Sequence, residues 1–285
     1  MKIALAYATP FEFAAMRGAI ATVCLVAVVI ALRRPLWPQM PGYTLVIGSF
    51  QVGGFGLFSM LALEFGTVGK SSILAYTFPL WVALLAWAIL KERPHGLQVV
   101  AFPIAVVGFG FILYPFDLDR GLVGAACAVG AGISWAIGAV LMKFAGLRQR
   151  YDTVTMTAWQ MVFGTLVFIA AAAFTPRPPV AWDAIFAFAL FFCSVVSNGL
   201  GWFLWTYALS GLPAGAASFG ILLSPIVGAA VAAIGLGERD PVPQLAGFAV
   251  LFFALVIFSL EGVRRRSGRV AEAEQASAWW RIRLS

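Results

Sequence analysis

The chain is poor in the residues on which soluble enzymes and metal proteins depend. Charged residues make up only 11% of its 285 positions, and it contains one histidine and three cysteines. Cys24, Cys127 and Cys193 share no C-x-x-C or Cys/His spacing, so the sequence predicts neither a disulfide framework nor a metal site. No G-x-x-x-x-G-K-[ST] motif is present, which argues against a nucleotide-driven pump. The sequence gives no sign of a bound cofactor.

Acidic side chains are missing from the middle of every long apolar stretch. Glu12, Glu64, Glu92 and Glu238 all lie near the ends of such stretches. Because proton coupling usually needs a carboxylate inside the membrane, this distribution favours a facilitator or an exchanger. A membrane-embedded enzyme is disfavoured, since the single His95 lies in a turn between Pro94 and Gly96, with no nucleophile and base grouped around it.

Hydrophobic residues, in contrast, make up 62% of the chain. Apolar runs of about 20 residues are long enough for a helix to cross a hydrocarbon core about 30 Å thick. None of the runs alternates with period two, so they predict helices and not barrel strands. The nine predicted spans cover residues 13–32, 42–63, 69–90, 97–115, 121–145, 153–174, 184–209, 213–236 and 242–261. The predicted fold is an all-α, polytopic membrane protein.

The net charge of +7 comes from Lys and Arg in the short segments between apolar runs, a distribution typical of topology signals and not of nucleic-acid binding. The ends of the predicted spans on one side of the membrane are rich in Lys and Arg, and the ends on the other side have few of them. The rich set comprises Arg33, Arg34, Lys91, Arg93, Lys143, Arg148, Arg150 and Arg264 to Arg266. This set is predicted to face the cytoplasm, together with a basic tail at 262–285, so the C-terminus is expected on the cytoplasmic side of the inner membrane.

The chain contains an internal repeat. Aligning residues 53–102 with 199–248 without gaps gives thirteen identical residues in fifty positions, and self-similarity of this kind indicates a duplicated unit. Pro79 then matches Pro225, each near the middle of an apolar run. A Pro there removes a backbone donor and predicts a matched pair of hinges, or else two permanent kinks.

The two copies are predicted at 1–115 and 121–261, with four and five helices. An odd number of helices per copy requires the copies to insert with opposite orientation, the arrangement typical of alternating-access transporters. The opening MKIALAY matches MKFAGLR at 142–148. We therefore expect a first helix to be missing before Met1, so that ten helices would complete the fold; the alternative is a true nine-helix protein.

Three segments resemble a known family. They are FEFAAMRGAIA at 11–21, YTFPLWVALLAWAILKER at 76–93 and SPIVGAAVAAIGLGER at 224–239. They resemble the drug/metabolite transporter superfamily, in particular its ten-helix EamA type, although Lys91 replaces a Gly usual in that family. The resemblance implies two inverted EamA-like repeats around a central cavity, and export of small metabolites such as amino acids without ATP. The expected partners are a small-molecule substrate and the lipid bilayer, and the protein is expected to be a monomer or a homodimer.

Polar side chains inside spans are costly and therefore mark candidate sites. The intramembrane candidates are Arg17, Gln51, Lys70, Tyr76, Gln160 and Asn198, and Trp135 and Trp202 are the aromatic candidates. The amides could line a substrate cavity or only join neighbouring helices, and the tryptophans could line it or anchor the protein at the membrane surface.

Arg17 has two possible positions. It could extend to the outer surface toward Glu12 or Glu64, or face the cavity and bind a substrate carboxylate. Its counterpart in the second copy is Gln160. A non-transporting assembly or regulatory protein remains the alternative to a transporter.

Overall fold

A computed structural model describes residues 2–91, 96–113, 120–175, 180–202, 204, 241–243, 245–257 and 260. Every regular element in these ranges is helical, which confirms the all-α membrane fold. The predicted span 213–236 with Pro225, and the basic tail 262–285, lie outside the described residues.

Ten α-helices, a short 3₁₀-helix at Lys2–Ala6 and two π-helical segments are the helical elements of the described residues. The α-helices are α1 (Pro10–Ala31), α2 (Pro41–Ile47), α3 (Phe55–Phe65), α4 (Val68–Ala75), α5 (Phe78–Leu90), α6 (Leu97–Leu113), α7 (Arg120–Arg148), α8 (Thr153–Ala173), α9 (Ala184–Phe191) and α10 (Leu245–Ile257). The first π-helical segment, Gly48–Gly54, joins α2 to α3, and the second, Phe192–Leu200, follows α9.

Five helical stretches are long and apolar enough to cross a membrane. They are Pro10–Ala31, Pro41–Phe65, Val68–Leu90, Gly121–Gly146 and Thr153–Ala173. Their bounds agree with the predicted spans to within a few residues. Large apolar side chains on the outside, such as Val106 and Phe188, have the exposure expected of residues that face lipid.

The two π-helical segments fall at matching positions of the two repeats. Gly53 lies in the first, and its counterpart Gly199 lies in the second. Wide turns of this type are rare and occur frequently at functional sites. Periodicity in the sequence does not distinguish them from ordinary helix, so they could not be predicted from the sequence.

The predicted span 69–90 is two helices and not one. The chain breaks at Tyr76 and Thr77, and Pro79 lies in the first turn of α5. In a first turn the missing N–H of proline costs nothing, because that donor has no partner inside the helix. The Thr77 hydroxyl holds the break together, since Oγ1 donates to the Leu74 carbonyl at 2.6 Å and accepts from Trp81 Nε1 at 3.1 Å.

α1 and α8, the matching helices of the two repeats, pack against each other and run in opposite directions. Arg17 lies over the ring of Phe168, and further along α1 the Oγ1 atoms of Thr22 and Thr165 form a 3.1 Å hydrogen bond. As α1 advances from 17 to 22, α8 therefore recedes from 168 to 165. Thr22 follows Arg17 by five residues, as Thr165 follows Gln160, so Thr22 contacts its own counterpart. A contact between matching residues is expected at a local two-fold axis between two copies.

At the arginine-rich end, the segment between α1 and α2 holds the start of α8; we call this contact the basic-end clamp. Arg34 Nη1 lies 3.5 Å from Asp152 Oδ2, and Trp159 Nε1 donates to the Leu36 carbonyl at 2.7 Å. The rings of Trp37 and Trp159 stack with their centroids 5.5 Å apart. The clamp joins the two halves at one end of the molecule.

The opposite end has a smaller contact of the same kind. The Ala181 N–H donates to the Tyr7 carbonyl at 3.0 Å, and Tyr7 packs on Phe186 with 6.0 Å between ring centroids. Here the segment after α8 contacts the chain before α1, whereas in the basic-end clamp the segment after α1 contacts the start of α8. Nearby, Thr9 caps α1 by accepting from the Glu12 N–H at 3.3 Å.

Candidate functional site

A cavity of about 510 Å³ lies between the two halves. Both repeats contribute to its wall, as expected for a substrate site at a repeat interface. The described residues that line it are Arg17, Val52, Phe55, Gly56, Ser59, Ala62, Leu63, Ser71, Ser72, Ala75, Tyr76, Phe78, Trp135, Phe168, Ser197, Asn198, Gly201 and Trp202.

One wall of the cavity is a single face of a helix. Val52, Phe55, Gly56, Ser59 and Leu63 recur at intervals of three and four residues, which places them in one stripe along α3 and the end of the first π-helical segment. The stripe is mixed, with a hydroxyl and a bare glycine among apolar side chains.

Arg17 supplies the charge in the cavity. Its side chain is 5% exposed, its Nη1 donates to Asn198 Oδ1 at 3.4 Å, and its guanidinium carbon lies 5.9 Å from the centre of the Phe168 ring. A cation over an aromatic face is attracted to the electrons of the ring. The sequence left two positions open for the Arg17 side chain, the outer surface and the cavity, and in the structure it lies in the cavity wall. Glu12, a possible surface partner, instead caps α1 with Thr9.

Gly56 makes room for the arginine and the ring together. A Cβ atom at this position would lie 2.5 Å from Phe168 Cζ and 3.4 Å from Arg17 Nη2. The first distance is far below van der Waals contact, so any side chain here would push the ring away. The absence of a side chain at Gly56 therefore allows Phe168 and Arg17 to meet α3 at close range.

Four aromatic rings form another part of the cavity wall. The Trp135 ring meets Phe55 edge to face at 4.8 Å, lies 5.6 Å from Phe78 and stacks on Trp202 at 5.1 Å. Trp202 lies one turn beyond Asn198, so the polar and aromatic parts are about 6 Å apart along that helix. We call these four rings the aromatic floor. It suits the apolar part of a small solute.

Gln51 and Gln160 lie elsewhere, although the sequence placed them among the substrate-binding candidates. Both are buried, 3% and 1% exposed, and neither is among the described residues that line the cavity. Gln51 packs on Gly138, and the Gln160 carbonyl packs on Gly48. They therefore lie in helix contacts, because depth in the membrane does not determine which face of a helix a side chain occupies.

Five of the other six candidates line the cavity: Arg17, Tyr76, Trp135, Asn198 and Trp202. Lys70 is not among the described residues that line it. Sequence reasoning missed Phe168 and the lining serines, Ser59, Ser71, Ser72 and Ser197. Only the spacing of Ser59 within its stripe gave a signal that could have been found beforehand. Among the lining residues that the structure describes, Arg17 carries the one formal charge and none is a carboxylate. The wall therefore offers one cation, several hydroxyls and a set of aromatic faces.

Comparison with known proteins agrees with this architecture. The model of the EamA-like transporter family matches the chain twice, at residues 1–114 and 122–260. A solved crystal structure aligns with a TM-score of 0.63 and 17% identity, covering 90% of this chain and 89% of its own, which shows a shared fold.

Similar sequences are transporters by name. The uncharacterized transporter YvbV of Bacillus subtilis (strain 168) is 26% identical over 97% of this chain and 91% of its own. A probable amino-acid metabolite efflux pump of Salmonella typhimurium (strain LT2) is 27% identical over 82% of each chain. The biotin transporter of Escherichia coli (strain K12) is 26% identical over 61% of this chain and 58% of its own. Because the family model covers both halves, the chain belongs to the EamA-like transporter family.

Proposed function

We propose that this transporter exports small, amino-acid-like metabolites carrying a carboxylate across the cytoplasmic membrane by alternating access. The observation that carries the proposal is the buried guanidinium of Arg17 in the wall of a cavity between two inverted halves. An arginine inside a membrane segment is costly, so its presence in a cavity indicates a ligand that it serves.

The chemistry of the wall suits such a solute. A guanidinium binds a carboxylate through two parallel hydrogen bonds, which are stronger inside a cavity than in water. Arg17 donates a long hydrogen bond of 3.4 Å to the neutral Oδ1 of Asn198. A carboxylate would be the stronger acceptor, so a substrate can replace this contact. The aromatic floor then receives the apolar part of the solute.

The relatives add support for the substrate class and the direction. The Salmonella relative is named an amino-acid metabolite efflux pump, and the Escherichia coli relative is named for biotin. An amino-acid metabolite fits the proposal through its carboxylate. A cavity of about 510 Å³ is large enough for solutes of this size.

Alternating access follows from the inverted halves. With the arginine-rich ends in the cytoplasm, Arg17 and the stripe on α3 lie in the outer half of the membrane, and the basic-end clamp lies on the cytoplasmic side. Loading from the cytoplasm then requires the halves to separate at the clamp. Pro79, at the break before α5, and its counterpart Pro225 are the proposed hinges.

The test is a counterflow measurement in proteoliposomes with Arg17→Lys. Lysine keeps the positive charge but cannot form the two parallel hydrogen bonds. The variant should insert and elute from gel filtration like wild type, yet lose most exchange of labelled L-phenylalanine and L-leucine. Lys143→Arg, a charge-conserving change outside the cavity lining, is the matched control. Normal counterflow kinetics in Arg17→Lys would show that Arg17 does not bind a substrate carboxylate, and would contradict that part of the proposal.

A further inference from the structure

Ser59 is a cavity residue with an unused hydroxyl. It belongs to the stripe on α3, and its Oγ is buried without a hydrogen-bond partner among the described residues. Buried hydroxyls are nearly always bonded, often to a carbonyl of the preceding turn when they lie in a helix. Ser194 behaves in that way, donating to the carbonyl of Leu190 at 2.6 Å, and Ser71 donates to the carbonyl of Ala62 on another helix at 2.8 Å. Ser59 departs from this rule at the wall of the proposed substrate site.

The Cβ of Ser59 lies within about 9 Å of Arg17 Nη2, a gap that one small chemical group can bridge. A Cβ placed at Gly56 would lie 3.4 Å from Arg17 Nη2, and Ser59 is three residues further on the same face, which separates the two Cβ positions by about 5–6 Å. An α-amino acid has its carboxylate and ammonium on the same carbon. With hydrogen bonds of about 2.8 Å on each side, such a group bridges a gap of about 8 Å.

We infer that Ser59 is the residue that selects for an amino group next to the carboxylate, so that the cavity prefers α-amino acids to the corresponding amine-free acids. This inference rests on the proposed function. Arg17 binds the carboxylate, and the oxygen of Ser59 accepts a hydrogen bond from the ammonium. A serine hydroxyl reaches the ligand by turning about one bond, and it accepts and donates equally well.

The preference follows from the unsatisfied groups. An amine-free acid leaves Ser59 without a partner, whereas an amino acid satisfies the hydroxyl and gains a charge-assisted hydrogen bond. Sites built to hydrogen-bond a ligand group reject analogues that lack it. A hydrogen bond to a charged group changes affinity by about ten-fold or more.

The experiment measures equilibrium binding of labelled L-phenylalanine to the purified full chain in detergent, with competition by unlabelled L-phenylalanine or 3-phenylpropionate. Wild type should bind the amino acid at least about ten-fold more tightly than the amine-free acid. Ser59→Ala should lose most of that ratio by weakening L-phenylalanine alone. Ser59→Thr, which keeps the hydroxyl, should retain it. Ser194→Ala is the matched control, because it removes a buried hydroxyl that already has a partner outside the cavity lining.

The outcomes separate the two claims. If wild type binds both acids equally, or if Ser59→Ala keeps the preference, the role of Ser59 is overturned while carboxylate binding by Arg17 stands. If wild type binds neither L-phenylalanine nor 3-phenylpropionate, the proposed function fails, and the inference fails with it. A narrowed ratio in Ser59→Ala, with unchanged gel filtration and unchanged affinity for 3-phenylpropionate, supports the assignment.

Discussion

At the scale of the residue, the candidate site depends on side chains that are absent as much as on those present. Gly56 leaves the space in which Phe168 and Arg17 meet α3, and Gly18 lies as closely against Thr165 on the neighbouring helix. Small residues at such contacts let membrane helices approach without the help of a hydrophobic driving force. The position of the guanidinium is therefore set by packing as well as by its hydrogen bond to Asn198.

Gly56→Ala tests this dependence. The added methyl would lie 2.5 Å from Phe168 Cζ, so the ring must move and take the arginine with it. We expect a loss of about 1–3 kcal/mol in stability, typical of overpacking, and weaker binding of L-phenylalanine. Thermal unfolding in detergent and equilibrium binding measure the two effects. Gly110→Ala is the control, because a Cβ at Gly110 has nothing within 4 Å. Equal unfolding temperatures for the two variants would contradict the packing argument.

The sequence predicted these side chains unevenly. Arg17 and Asn198 stand out because polar groups inside apolar runs are rare, and the structure has both in the cavity wall. Gln51 and Gln160 stand out for the same reason but lie in helix contacts. Composition gives the depth of a residue, whereas the face it occupies depends on how the helices rotate against one another. Ser59 was missed because a serine in a helix is ordinary until its missing partner is seen.

At the scale of the element, the helices are less regular than their apolar runs suggest. The span bounds could be predicted, since length and hydropathy determine them. The repeated proline predicted a hinge or a kink near position 79, and the break lies just before it at Tyr76 and Thr77. The π-helical segments and the exact place of the break could not be predicted, because they depend on contacts with other helices. Gly132 of α7 illustrates the point: a Cβ there would lie 2.9 Å from the Ala75 carbonyl, so α7 packs directly on the broken backbone.

Pro79→Ala tests the break as a hinge. Alanine restores the N–H that a continuous helix would direct at the Ala75 carbonyl, so the variant should favour a straighter and stiffer Val68–Leu90. We expect normal insertion, a KM close to wild type and turnover reduced several-fold in counterflow. Pro225→Ala should act in the same way, since Pro225 is the matching residue of the second repeat.

Pro103→Ala is the matched control for that experiment. Pro103 lies inside α6 without ending the helix, and it is not among the described residues that line the cavity. Its replacement should leave turnover unchanged. If Pro79→Ala also transports at the normal rate, the bend before α5 is a fixed feature and takes no part in the transport cycle.

At the scale of the whole molecule, the two halves are joined in two different ways. The contact of α1 with α8 passes through the local two-fold axis at Thr22 and Thr165, whereas the basic-end clamp lies at one end. When two halves rock about an axis, residues on it keep their distance and residues at the ends do not. The two contacts should therefore respond differently when they are cross-linked.

The prediction uses paired cysteines in a chain whose three native cysteines are replaced by serine. Joining Thr22→Cys to Thr165→Cys by oxidation should leave most counterflow activity in place. Joining Arg34→Cys to Asp152→Cys with a short bifunctional thiol reagent should block counterflow, and reductive release should restore it. Loss of counterflow when positions 22 and 165 are joined, or normal counterflow when positions 34 and 152 are joined, would contradict rigid-body movement about this axis.

The hydrogen bond between Thr22 and Thr165 shows which residues can occupy two matching positions that face each other when both copies carry the same residue. On a two-fold axis the two copies of a side chain face each other. If both copies carry the same residue, it must either donate and accept hydrogen bonds or be apolar. A lysine would repel its copy, and so would an aspartate; a threonine bonds to it. Because both copies belong to one chain, two matching positions need not carry the same residue. Arg17 and Gln160 show the result, because they occupy matching positions five residues before the axial pair, and only one of them carries a charge.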